Sequence, residues 1–88
     1  MKKNPILYNA LGEVIKLRRL HKGMKQKKLA EEANLDDTYI SDIERGLRNP
    51  TFDVLFSIAR ALDTYSSVLC KEVEDKVIED IDRMKKEE

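Results

Sequence analysis

Apolar residues recur along this chain at helical spacing in five separate runs, and the residues between the runs are of the kinds that start and stop helices. Asn4-Pro5 predicts a first helix, with Asn4 as its cap and Pro5 at the first helical position, where a missing amide costs nothing. It extends to about residue 21 and ends at Gly23, read as a left-handed terminator. Leu7, Leu11, Val14, Ile15, Leu17 and Leu20 are too many for one narrow stripe, so part of this surplus is expected to meet the C-terminal helix or a partner chain. Leu29, Ala30 and Ala33 set the period of a second helix, and Ile40, Ile43 and Leu47 that of a third. After Pro50-Thr51, with Thr51 as cap, Phe52, Leu55, Ile58, Ala59 and Leu62 fall on one face of a fourth helix, expected to be core scaffold. A fifth begins at Ser66 and carries an apolar seam of Val73, Val77, Ile81 and Met84, with Ile78 beside it. The seam drifts from a strict heptad, which argues against a long coiled coil, but it must be buried on the first helix or a second subunit. We favour the second subunit.

The stretch over residues 26–46 organises the rest, because it reads as two short helices joined by one tight corner. Ala30 lets the two backbones approach, and Asn34 suits the corner because it tolerates a left-handed conformation. Asp36 or Asp37 can cap the helix that follows. A helical hairpin buried in a bundle would show the same periods. The outward face separates the two cases: Asp37, Thr38, Tyr39, Ser41, Asp42 and Arg45 are all polar or hydrogen-bonding and give the helix a reading edge. Ahead of it, Lys25-Gln26-Lys27-Lys28 places three cations at a helix N-terminus, where a phosphate is the natural occupant.

A series of short motifs carries a family resemblance: Leu11-Gly12 with Ile15 and Arg19, Gly23-Met24-Lys25-Gln26, and Leu29-Ala30. It continues through Thr38-Tyr39-Ile40-Ser41, Ile43-Glu44-Arg45-Gly46, Arg48-Asn49-Pro50-Thr51, Ile58-Ala59-Arg60-Ala61-Leu62 and Leu69. In this order and spacing, residues 11–70 resemble the helix-turn-helix family of Cro and phage repressors, the XRE family, to which restriction-modification controller proteins belong. The resemblance implies an all-α, compact five-helix, lambda-repressor-like DNA-binding domain with an extended C-terminal helix. Residues 1–65 would form the DNA-binding domain, with the helix-turn-helix at about 25–46, and residues 66–88 an amphipathic packing and dimerisation helix. It further implies a sequence-specific, double-stranded DNA-binding transcriptional regulator whose helix 37–45 enters the major groove, working as a homodimer on a pseudo-palindromic operator. Lys25, Gln26, Lys27, Arg45, Arg48 and Asn49 would set register through phosphates, and Asp37, Thr38, Tyr39, Ser41 and Asp42 would face base edges. Arg19 matches the arginine that pairs with a glutamate at the place of Glu44, tying the first helix to the reading helix. Val73, Val77, Ile81 and Met84 would form the dimer seam.

Two positions depart from the family pattern. Asp36-Asp37 stands where relatives often place arginine or glutamine; Asp36 is preferred as a cap, and Asp37 stays open between a cap and a cytosine contact. Asp63 stands where the family usually has glycine, which puts the left-handed turn there in doubt.

The net charge of zero changes meaning once divided by position. Residues 1–34 hold nine Lys/Arg against three Asp/Glu, residues 35–65 three against six, and residues 66–88 five against eight. A basic front and an acidic tail fit a molecule that meets phosphate with one face. The same neutrality, with the acidic start of the reading helix, supports an alternative from another class: a protein-interaction module of this fold, an antitoxin or anti-repressor, with DNA binding secondary. Enzyme function is disfavoured, since no His/Cys/carboxylate cluster, glycine-rich phosphate loop or nucleophile–base pair is present. No cofactor, metal site or small-molecule ligand is implied, and His21 reads as a surface residue. No run approaches the ~20 apolar residues of a membrane span. Without a signal-peptide pattern, and with Cys70 alone and read as a core thiol, a cytoplasmic location is expected.

Overall fold

The computed structural model of the chain describes residues 4–87, apart from the side chains of Met84 and Glu87. Among the described residues there are five helices: α1 (Pro5–His21), α2 (Gln26–Ala33), α3 (Asp37–Glu44), α4 (Phe52–Ala61) and α5 (Ser66–Glu87). Asn4 opens α1 as its cap, its side-chain oxygen accepting from the Leu7 amide at 3.1 Å, with Pro5 in the first helical position. Thr51 opens α4 in the same way, accepting from Val54 N at 3.3 Å.

The four corners share one closing device. Each places a residue in the left-handed region, Gly23, Asn34, Gly46 and Asp63 in turn, so that the next amide reaches back into the helix just ended. Met24 N donates to Arg19 O, Leu35 N to Ala30 O, Leu47 N to Asp42 O and Thr64 N to Ala59 O, at 2.8–3.0 Å. These bonds satisfy carbonyls that the helix end would otherwise leave orphaned. Asn34 takes the corner between α2 and α3 with φ 58°. The turn at Asp63 forms without glycine, at φ 57°. Aspartate tolerates this conformation better than most residues with a β-carbon, and here Lys22 Nζ holds its carboxylate at 2.5 Å.

The interior has two lobes. In one, Ile15 of α1 meets Leu29, Ala30 and Ala33 of α2, Ile40 and Ile43 of α3, and Ile58 of α4. In the other, Ala10 and Val14 of α1 meet Leu55 and Ala59 of α4 and Leu69, Val73 and Val77 of α5. Helix α1 is thus apolar on two faces, which accounts for much of its surplus; Leu17 and Leu20 stay exposed. Where α1 crosses α3, Gly12 takes the contact. A Cβ there would lie 2.6 Å from the Glu44 carbonyl oxygen and closer still to that of Ile43, so the two backbones touch only because the position has no side chain.

Three expectations are corrected. Val73 and Val77 are buried within the chain in a cluster with α1 and α4, Ile81 is half-buried beside them and Ile78 is exposed, so the first part of the seam is covered by the chain itself. Helix α1 supplied the missing partner surface, and Arg18–Glu72 (2.5 Å) and Lys76–Glu13 (3.3 Å) zip the edges of that contact. The Met84 side chain, grouped with the seam, lies outside the described residues. Cys70 is exposed, because the buried line of α5 steps by four through Leu69, Val73 and Val77 and leaves the next position turned outward. Phe52 is 71 % exposed: it shares a stripe with Leu55 and Ala59, but as the first residue of α4 it projects past the end of the core.

Candidate nucleic-acid interface

Helix α3 is anchored by its inner face and presents its outer one. Ile40 and Ile43, a turn apart, are fully buried and fix its roll, while Asp37 and Thr38 are exposed and Ser41 half-buried. A polar bracket fixes its position along the axis. Arg19 Nε donates to Glu44 Oε2 at 2.7 Å and Nη2 to Glu44 Oε1 at 2.9 Å, while Nη1 donates to the Met24 carbonyl at 2.7 Å. Gln26 Nε2 joins the same Glu44 Oε1 at 3.0 Å. The Arg19 and Glu44 side chains are only 8 % and 2 % exposed. A planar fork on a carboxylate satisfies both groups where water cannot; among the described residues no buried side-chain nitrogen or oxygen is left without a partner. One carboxylate therefore gathers α1, the start of α2 and the end of α3. Each of the three Arg19 nitrogens makes one of these bonds, which leaves one N–H on Nη1 and one on Nη2.

Beside this bracket lies a shallow open concavity lined by Arg19, Lys25, Gln26, Lys27, Asp37, Thr38 and Ser41. Helix α2 begins at Lys25 with no side-chain cap, so its first amides point out of the helix without an internal acceptor. Lys25 and Lys27 are exposed around them. Uncapped amides, a helix dipole and ammonium groups in one place form an anion site of the phosphate type. Gln26 keeps a second amide hydrogen beyond the one given to Glu44. Lys28, the third cation of the run, lies 3.7 Å from Glu32 one turn on.

The five side chains expected to face bases divide into two groups. Asp37, Thr38 and Ser41 open onto the lysine-rimmed concavity. Tyr39 and Asp42 instead belong to a cluster on the other flank of α3. There, Asp42 accepts from Arg45 Nη2 at 2.7 Å and from Arg48 Nε at 3.4 Å, and the Arg48 guanidinium stands 4.8 Å from the centre of the Tyr39 ring. Asn49 is exposed in the following loop. Asp36 occupies the cap position of α3, with extended backbone, but its carboxylate makes no capping bond. Its role is thus one of backbone geometry. Sequence reasoning missed the Arg48–Tyr39 stack and the Asp42 junction; Arg45 at three residues' distance was legible as a partner, whereas Arg48 in a loop was not.

Two short helices at a tight corner, the second with an exposed polar face beside an uncapped, lysine-rich helix start, define a helix-turn-helix protein. A family model described as Helix-turn-helix matches residues 15–69, and the chain belongs to that family. It is 50 % identical over 52 residues to the control protein C.BamHI of Bacillus amyloliquefaciens, covering 58 % of this chain and 64 % of the relative. An uncharacterised HTH-type transcriptional regulator of Mycobacterium tuberculosis is 40 % identical over 58 residues, covering 66 % of this chain. The chain spans about two fifths of that relative's length, since the match covers 41 % of it. Among solved structures, the restriction-modification controller protein C.Esp1396I, as a tetramer in complex with its natural 35 base-pair operator, superposes with a TM-score of 0.74 at 40 % identity. That match covers 82 % of this chain and 95 % of the other. The fold is therefore the five-helix, lambda-repressor-like one of the controller proteins.

Proposed function

We propose that this protein is a sequence-specific, double-stranded DNA-binding transcriptional regulator of the cytoplasm, acting as a homodimer on a pseudo-palindromic operator. One observation carries the reading: α3 is locked from below by the buried Arg19–Glu44 bracket while its outer face stands open beside the lysine-rimmed start of α2. A major groove about 12 Å wide admits such a helix, with the phosphate ridges falling on either side. On one flank Lys25, Gln26 and Lys27 meet phosphate, and on the other Arg45, Arg48 and Asn49. Asp37, Thr38 and Ser41 face base edges, with Tyr39 at their border. Residues 25–46 form the reading unit within a DNA-binding portion of residues 1–65, and α5 steadies it by packing on α1.

Because Val73 and Val77 are spent inside the chain, the contact between subunits draws on a further surface. Helix α4 offers one: Phe52 and Phe56 are exposed one turn apart, and Arg60, the next along that line, holds its guanidinium 5.9 Å from the centre of the exposed Tyr65 ring. Exposed aromatic groups in a row are unusual on a monomer's surface and suit a two-fold contact. Selection of bound sites from random duplexes, run beside a mass measurement in solution, tests the reading. The expected outcome is an inverted repeat with half-sites one helical turn apart, ~34 Å, bound by a species of twice the chain mass. Recovery of no common sequence contradicts it.

A further inference from the structure

The geometry points to Asp42 as a positioning residue that sets specificity through Arg45 and Arg48, rather than as a reader of bases. The inference rests on the DNA-binding reading above and deepens it. Asp42 lies on α3 with its side chain only 20 % exposed, and one carboxylate serves two guanidiniums: Oδ1 accepts from Arg45 Nη2 at 2.7 Å and Oδ2 from Arg48 Nε at 3.4 Å. Arg48 comes from the loop beyond α3, and its guanidinium also stands over the Tyr39 ring. Both carboxylate oxygens are therefore engaged by arginines, and a base edge offering a donor would compete with two guanidiniums for the lone pairs that remain.

Two consequences follow from the charges. Each guanidinium has five N–H donors in a rigid fork, so the groups not engaged by Asp42 are aimed outward together, in one fixed register. At the same time the trio carries one net positive charge in place of two. Non-specific affinity scales with the number of phosphates neutralised, so the carboxylate suppresses binding to random DNA. It costs the cognate complex less, because there the pre-aimed forks find their phosphates at the right spacing. Asp42 trades bulk affinity for discrimination.

The test compares wild type, Asp42→Asn and Asp42→Ser on the selected duplex and on a scrambled one, by fluorescence anisotropy across a salt series. Circular dichroism confirms that each variant is folded. With one more charge available, the salt slope on scrambled DNA should steepen by about 0.9, which at ~0.1 M salt is roughly an eightfold gain in affinity. The cognate complex should gain less, so the ratio of cognate to scrambled affinity falls. In an Arg45→Ala/Arg48→Ala background the same Asp42 changes should leave the scrambled-DNA slope unaltered, which a purely structural role would not produce. A changed preference at a single base pair with an unchanged slope overturns the inference and makes Asp42 a reader. Persistence of the gain without the two arginines overturns it as well. Absence of any salt-dependent binding by wild type is a different failure, sinking the regulator reading and this inference with it.

Discussion

Removal of the Glu44 carboxylate should unfold the reading helix from its base. In Glu44→Ala the Arg19 guanidinium keeps its charge in a site where its side chain is 8 % exposed, loses two hydrogen bonds of 2.7 and 2.9 Å, and retains only the Met24 carbonyl. Breaking one side of a buried pair costs about 3–5 kcal/mol, mostly the penalty of the charge left behind. A chain of this length has about 4–13 kcal/mol of stability in total, so the variant sits near the edge of folding. At roughly 4–8 °C per kcal/mol, the melting temperature should fall by at least about 12 °C. Urea unfolding followed by circular dichroism measures the loss as a lower midpoint, and adding Arg19→Met to Glu44→Ala should recover part of it, because no charge then remains unpaired. A Glu44→Ala midpoint equal to wild type would refute the bracing role, the more so if DNA affinity fell nonetheless.

Other expectations are simpler to check. Lys27→Ala should weaken cognate and random duplexes alike and lower the salt slope by about 1, whereas Thr38→Ala or Ser41→Ala should alter preference at individual base pairs, read by repeating the site selection. Val77→Ala should cost about 2 kcal/mol in urea unfolding, while Phe56→Ser should shift the solution mass toward the monomer and remove the dependence of the melt on protein concentration. Lys22, by hydrogen bond and by charge, holds the Asp63 carboxyl below its ordinary value. A depressed folded pKa gives stability that is present above the unfolded value of about 3.9 and lost as pH falls through the lower folded one. The stability difference between wild type and Asp63→Asn should accordingly be constant near neutrality and shrink below about pH 4.

The legible parts of this fold are those decided by neighbours in sequence. Asn4-Pro5, Asn34 and Thr51 act within three or four residues, so helix starts and the central corner could be read directly. Ile40 and Ile43 fixed which side of α3 faces inward, and hence which side is open. Periodicity says that an apolar line must be covered but not by what: Val73 and Val77 met α1 rather than a second subunit. It is also blind to where a core ends, which is why Phe52 was placed inside. Charge behaves in the same way. Asp42 is polar and outward in any helical wheel, yet its partners include an arginine six residues away in a loop, a pairing set by the chain's path after Gly46. Gly12 appeared only as part of a family pattern, and its reason, the α1–α3 crossing, is visible only in three dimensions.

The central claim is that the outer face of α3, with the start of α2 and the loop after Gly46, is the surface that meets DNA. Amide chemical shifts of the isotopically labelled protein, followed by NMR while a selected operator half-site is titrated in, report that surface residue by residue. The largest changes are expected at residues 25–28, 37–42 and 45–49, with the α1–α5 contact and the Phe52–Phe56 face of α4 unaffected by a single half-site. Shifts concentrated on α4 or α5, with residues 37–42 silent, would contradict it.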